Sequence, residues 1–334
     1  MPLTVPNTPA EDRTAHRNRN ASWAGAAFRS LHLWNLSSLE AWHLTSLDAP
    51  TVALAWASSF AWAAGTHLSL QSAAVIVLCV WTVYVGDRLL DARTALIRQT
   101  EDRLRDRHYF HWRHRRVLAP LAVVAAAVAA ILVLRCIPVV ARERDSVLAA
   151  ASLVYFARVH QNQLSPARRT RPFFSPLVTK ELLVGVLFAI GCALPSLGAA
   201  WAAPLSTRWV LAGCVAFFAA LAWLNCRAID QWESDGDSDA ERETGADPRG
   251  GISLAGFAFG LASLGLGVGL LLNRAYPRPA LLLATAALSA LLIALLDQMR
   301  TRLAAVTLRA AADLVLLAPA MIFFVAEPIA RMVR

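Results

Sequence analysis

Two stretches of this sequence place acids where an apolar run ends, and acids in such places either do chemistry or simply finish a helix. The first stretch is Tyr84-Val85-Gly86-Asp87-Arg88-Leu89-Leu90-Asp91-Ala92-Arg93. Asp87 and Asp91 are four residues apart, so on a helix both carboxylates project from one face, with Tyr84 and Arg88 on that face too. Paired carboxylates on a rigid helix can grip Mg²⁺, which favours a few carboxylate oxygens, retained waters and substrate phosphates. The alternative is a charge ladder of Asp87, Arg88, Asp91 and Arg93 that merely ends the helix. The second stretch runs Asn225-Cys226-Arg227-Ala228-Ile229-Asp230-Gln231-Trp232-Glu233 and continues into Asp235, Asp237 and Asp239. Asp230 and Glu233, three apart, share a face. The later acids read as an ordinary solvated loop over 234–247.

Lys180, the only lysine in the chain, opens another apolar run at Thr179-Lys180-Glu181-Leu182. An ammonium there needs an anion, which a bound diphosphate, Glu181 or a lipid headgroup would supply. Arg309 and Asp313 stand four apart inside a further apolar segment, and the spacing predicts that they pair with each other as a structural tie.

The elements that must position these groups are membrane helices. Only 16% of the 334 residues are charged, against 57% hydrophobic. A water-soluble domain carries about a quarter charged residues. The stretches 49–86, 117–134, 182–207 and 250–273 contain no Asp, Glu, Lys or Arg. At 1.5 Å of rise per residue, roughly 20 apolar residues cross a bilayer core. Nine spans are expected, at 44–64, 68–91, 117–134, 146–160, 175–194, 209–230, 252–273, 279–296 and 303–324. The fourth is short for a crossing. Residues 1–40 form a polar N-terminal tail, and Leu31, Trp34, Leu39 and Trp42 suggest an interfacial helix before the first span. Residues 41–334 form one transmembrane domain.

Arginine placement orients the bundle. With a cytoplasmic N-terminus, 22 arginines fall on the cytoplasmic side and 8 on the opposite side. This asymmetry is that of a bacterial inner-membrane protein, and it puts both acidic helix ends on the cytoplasmic face. The net charge of +9 is spread over short loops and so speaks for topology and anionic lipid rather than nucleic acid. The five cysteines lie singly in or beside apolar runs, which argues against disulfides, zinc and iron–sulfur clusters. No signal peptide is expected, since residues 1–20 hold no apolar core.

After residue 40 the chain resembles the UbiA-type superfamily of intramembrane prenyltransferases. The resemblance rests on Leu47-Asp48-Ala49-Pro50, on Asp87-Arg88-x-x-Asp91-Ala92, on Lys180 through Gly191, on the acidic end at Asp230 and Glu233, and on Leu308-Arg309 through Asp313 to Pro319. It implies an all-α, nine-helix transmembrane bundle around a central cavity. It also implies Mg²⁺ held by Asp87, Asp91, Asp230 and Glu233, and a prenyl diphosphate as substrate with an aromatic or lipid-like acceptor. Asp87, Asp91, Asp230 and Lys180 would carry catalysis, while Tyr84, Arg88, Arg93, Asn225 and Arg227 would bind substrate. The family's first motif usually opens with Asn-Asp, where this chain has Val83-Tyr84. Its second usually begins with an acid where this chain has Cys226. Those departures motivate the alternative of a relative that holds an isoprenoid or lipid without chemistry. A transporter using Lys180, Arg309 and Asp313 is a third expectation, weakened by the absence of an inverted repeat.

Overall fold

A computed structural model of the chain describes residues 37–97, 106–164, 180–238 and 253–323, and these are all-helical, with no strand among them. The first helix, α1 (Ser38–Leu44), is started by a reciprocal cap in which the Ser37 and Glu40 side chains satisfy each other's backbone N–H groups. It carries Leu39 and Trp42 of the expected interfacial helix, whereas Leu31 and Trp34 lie outside the described residues. The chain then turns through Thr45-Ser46-Leu47, with Ser46 at φ +59°. The next helix, α2 (Asp48–Ala63), therefore begins at Asp48 and not at residue 44 as the apolar run suggested. Trp81 secures this turn by donating its indole N–H to the Thr45 carbonyl at 3.1 Å.

Helix α3 (Leu70–Ile97) follows a tight turn at Gly65, whose φ of +76° suits glycine. A short amphipathic helix, α4 (Asp106–Arg113), leads into α5 (Arg115–Cys136) and α6 (Val139–Leu164). Then come α7 (Lys180–Ala193), extended by a 3₁₀ turn and α8 (Leu197–Ala202), and the 34-residue α9 (Leu205–Ser238). Two antiparallel neighbours, α10 (Leu254–Leu272) and α11 (Pro277–Met299), precede α12 (Ala305–Val315).

Six helical stretches among the described residues are long and apolar enough to cross a membrane: α3, α5, α7 with α8, α9, α10, and α11 with its 3₁₀ extension. The chain is thus an integral membrane protein by the length and composition of its helices. Helices also occupy the other three expected segments. Of these, α2 has only 16 residues, and α12 only 11. Helix α6 has 26 residues and starts well before residue 146, but its early turns hold Arg142, Glu143, Arg144 and Asp145. The expected single helix at 303–324 is interrupted, because Pro319 cannot continue it and a 3₁₀ turn takes over at Ala318–Ala320. The carbonyls released by that break are met by side chains. Ser289 donates to Val315 O at 2.7 Å, and the Trp56 indole donates to Leu316 O at 3.0 Å. A lipid-embedded helix end requires such partners.

Small residues set how closely the helices approach. A Cβ added at Gly185 of α7 would stand 2.8 Å from the Ala219 carbonyl and 2.9 Å from the Trp223 amide of α9, so the two backbones nearly touch. Gly265 and Gly269 of α10 play the same part against Phe217 and Ala280. At the centre, Trp56 of α2 stacks on Phe218 of α9 at 3.6 Å with the rings 13° apart. This packing sets α2, α7, α9 and α12 side by side next to α3, where the chemistry-bearing residues lie.

Candidate functional site

Four elements meet in one polar cluster, two of them adjacent in the chain and two distant. His43 ends α1, Asp48 opens α2, Arg88 sits late in α3 and Asp313 lies in α12. The tight turn at Ser46 folds His43 back onto Asp48, so His43 Nδ1 stands 2.6 Å from Asp48 Oδ2 and 3.7 Å from Asp313 Oδ2. Asp48 is fully buried. As the first residue of α2 it faces that helix's N-terminal N–H groups, and its Oδ1 accepts from Ala49 N at 2.8 Å. Arg88 Nη2 approaches Asp48 Oδ2 at 3.8 Å, and its guanidinium lies 5.3 Å from the centre of the Tyr84 ring. Asn225 of α9 donates Nδ2 to Asp313 Oδ1 at 3.1 Å. Burial alone would lower the His43 imidazole, but hydrogen bonds with Asp313 and Asp48 outweigh it and hold the pKa above the ordinary value.

Beside this cluster, α4 reaches three other elements. Arg107 Nη1 pairs with Glu233 Oε1 at 2.9 Å, and Arg309 of α12 contacts the same oxygen. His108 Nε2 stands 3.8 Å from Asp91 Oδ2. His111 Nε2 lies 3.1 Å from the buried Ser46 hydroxyl, while its Nδ1 lies 2.8 Å from the Arg107 carbonyl. Since only a protonated Nδ1 can bond that carbonyl, Nε2 is left to accept from Ser46. Burial, helped by the Arg88 charge, pushes His111 down to about 3.

A narrow hollow of about 50 Å³ opens between α2, α3, α7, α9 and α12. Tyr84, Asn225, Cys226 and Asp313 form its polar wall, and Val52, Val184, Phe188 and Leu316 are among its apolar lining. Helices α3 and α9 both border this hollow, but with residues well inside each helix and not with their ends. The residues that face it from those helices are Tyr84, Asn225 and Cys226, not the acids singled out from spacing.

Those acids go elsewhere. Asp230 pairs with Arg227 at 3.2 Å in a half-exposed surface bridge. Glu233 is taken up by Arg107 and Arg309, and Asp91 lies beside His108. Asp87 stands within electrostatic reach of the Tyr155 hydroxyl, as do Glu181 and Cys226. Arg93 is exposed. Lys180 begins α7, and its side chain lies outside the described residues, as do those of Asp235, Asp237 and Asp239. The expected Arg309–Asp313 pair is replaced. Arg309 turns to Glu233 and Asp313 to His43 and Asn225, because α12 packs between α1 and α9 and each side chain finds a better partner across a helix boundary.

Among the described residues, one set of His, Cys, Asp and Glu side chains has its ligand atoms mutually within 4.8 Å: His43, Asp48 and Asp313. Asp87, Asp91, Asp230 and Glu233 form no such set. As donors for Mg²⁺ they do not fit together in this arrangement. Spacing missed His43, Ser46, Arg107, His108 and His111. The available signal was an acid opening an apolar block at Asp48 with a histidine five residues before it.

No family model, no curated protein and no solved structure matches this chain.

Proposed function

We propose that this protein is a nine-helix intramembrane bundle of the UbiA-like type, built around a central cavity. In this reading it takes a prenyl diphosphate and passes the prenyl group to an aromatic or lipid-like acceptor. The observation that carries the reading is the hollow bordered by α3 and α9, polar at Tyr84, Asn225 and Asp313 and apolar at Val184 and Phe188. A ligand with an anionic head and a hydrocarbon tail matches that division.

Cationic groups for the head stand close by. Arg88 is 5% exposed, and its Nη1 has no hydrogen-bond partner among the described residues. Arg107 and Arg309 flank Glu233. Guanidinium groups fixed before the reaction stabilise the charge that builds on a departing diphosphate, and apolar walls keep water from the electron-poor allylic carbon. The hollow has room for one or two waters, so a prenyl chain enters only when side chains such as Phe188 or Tyr84 turn aside. No step runs through Mg²⁺, since the four acids that the resemblance assigns to it do not gather.

That last observation favours a second reading, in which the bundle holds an isoprenoid or lipid and performs no chemistry on it. In both readings the site faces the cytoplasm of a bacterial inner membrane, on the strength of the arginine asymmetry. The deciding experiment incubates purified protein in nanodiscs with radiolabelled geranyl or farnesyl diphosphate and a bacterial lipid extract, with and without Mg²⁺. Prenylated product formed by the wild type and lost in Arg88→Ala supports transfer. Saturable binding without product supports the silent reading. Neither binding nor product overturns both.

A further inference from the structure

The His43–Asp48–Asp313 cluster has the composition and the spacing of an ion site. We propose that it binds a divalent transition ion, Mn²⁺ or Zn²⁺, through His43 Nδ1, one oxygen each of Asp48 and Asp313, and the side-chain oxygen of Asn225. The inference stands on this geometry alone and does not need the prenyl-transfer reading.

The three ligand atoms already lie within 4.8 Å of one another, brought together from α1, α2 and α12. Around a tetrahedral ion with bonds of 2.0–2.1 Å, neighbouring ligand atoms stand about 3.3 Å apart. The observed 2.6 Å from His43 Nδ1 to Asp48 and 3.7 Å to Asp313 bracket that value, so modest side-chain shifts make the fit. Imidazole combined with carboxylate and amide oxygens suits Mn²⁺ and Zn²⁺. Such a set is untouched by the cysteine pattern, which argues only against cysteine-based sites.

An independent feature points the same way. Asn225 is 4% exposed, and its Oδ1 is buried with no hydrogen-bond partner among the described residues. A buried acceptor left unpaired costs free energy and needs an explanation. Its Nδ2 donates to Asp313. A half-turn of the amide exchanges nitrogen for oxygen and presents Oδ1 to an ion bound on Asp313. That turn would set oxygen against oxygen unless a cation stood between them.

Asp48 and Asp313 converge on one imidazole, and Arg88 stands 3.8 Å from Asp48, beyond hydrogen-bond length, so both carboxylates keep lone pairs that an ion can take up. Any proton on Nδ1 leaves to water as the ion binds. Asp313 and Asn225 both line the hollow, which provides the way in.

The test uses full-length, tag-free protein in detergent, stripped with a chelator and re-equilibrated with Mn²⁺ or Zn²⁺ alone before desalting. Mass spectrometry should find roughly one ion per chain in the wild type. Asp313→Asn and His43→Gln should each retain at least tenfold less, and Asn225→Ala should bind about tenfold more weakly. Monodisperse elution and wild-type helical circular dichroism certify the variants. Should a variant fail to fold, the Mn²⁺-loaded wild type decides alone, since its electron spin resonance must show coupling to one imidazole nitrogen. Negligible loading of the wild type, loading unchanged in Asp313→Asn, or no nitrogen coupling overturns the proposal. No prenyl compound is present in any arm, so this result and the transfer assay succeed or fail separately.

Discussion

Asp48 and Asp230 are both aspartates facing an arginine, at 3.8 and 3.2 Å, yet they occupy opposite situations. Asp48 has no exposed surface, and its neighbours His43 and Arg88 are almost as deeply buried. Asp230 is 49% exposed, and its partner Arg227 is 53% exposed. The closer pair is the weaker one. Water and mobile ions screen the surface bridge and already solvate both partners when it breaks. The buried group has no such substitute, so removing one member strands the others. The worth of an acid in this bundle is therefore set by where its helix turns it and hardly by how near its cation stands.

The sharpest way to break that contrast is Asp48→Ala, which leaves His43 and Arg88 buried without their shared anion. A loss of about 3–5 kcal/mol is expected, seen as a collapse of the thermal unfolding midpoint in detergent or as failure to accumulate in the membrane. A midpoint within two degrees of wild type would place the stabilising interactions elsewhere. Glu233→Gln comes next. It removes the charge held by Arg107 and Arg309 while keeping the shape, and the loss should be about 1.5–3 kcal/mol by the same measurement.

The pH profile sharpens the comparison at intermediate size. His111 titrates near 3 when folded, against 6.5 for its ordinary value. Below pH 6.5 the unfolded chain takes up a proton that the folded chain refuses, so stability falls as the pH drops toward 3 and is unaffected by this group above 6.5. The slope from His111 is about 1.4 kcal/mol per pH unit within that window. Unfolding of the wild type and His111→Gln, compared from pH 7.5 to 5, should show the variant losing less stability on acidification, and parallel curves would refute the assignment. The smallest effect belongs to Asp230→Asn, expected to change stability by about 0–1 kcal/mol and to shrink further in 0.5 M salt.

The helices were legible in the sequence wherever a long run lacked charge, and the break between the first two spans fell where 44–64 and 68–91 were divided. Segment ends were harder. Nothing in the apolar run from residue 44 announces that Ser46 adopts a left-handed backbone and delays α2 to Asp48. The site was half legible. Spacing showed that Asp87 and Asp91 share one helix face, and that Asp230 and Glu233 share another. It could not show which way either face turns, because rotation about a helix axis is set by packing between helices. The interruption of α12 at Pro319 and the gathering of Asp313 with His43, residues 270 positions apart, belong to the same class of information.

Gly185 carries a consequence for how this molecule can breathe. Because the backbones of α7 and α9 are in near contact there, the two helices behave as one slab, with no side-chain cushion that could compress or slide. Both border the hollow. Beyond the turning aside of side chains, any backbone widening that admits a guest must come from the facing wall, through tilting of α2, α3 or α12, so a spin-label pair across α7 and α9 would report a constant separation while a pair from α9 to α3 would report the opening.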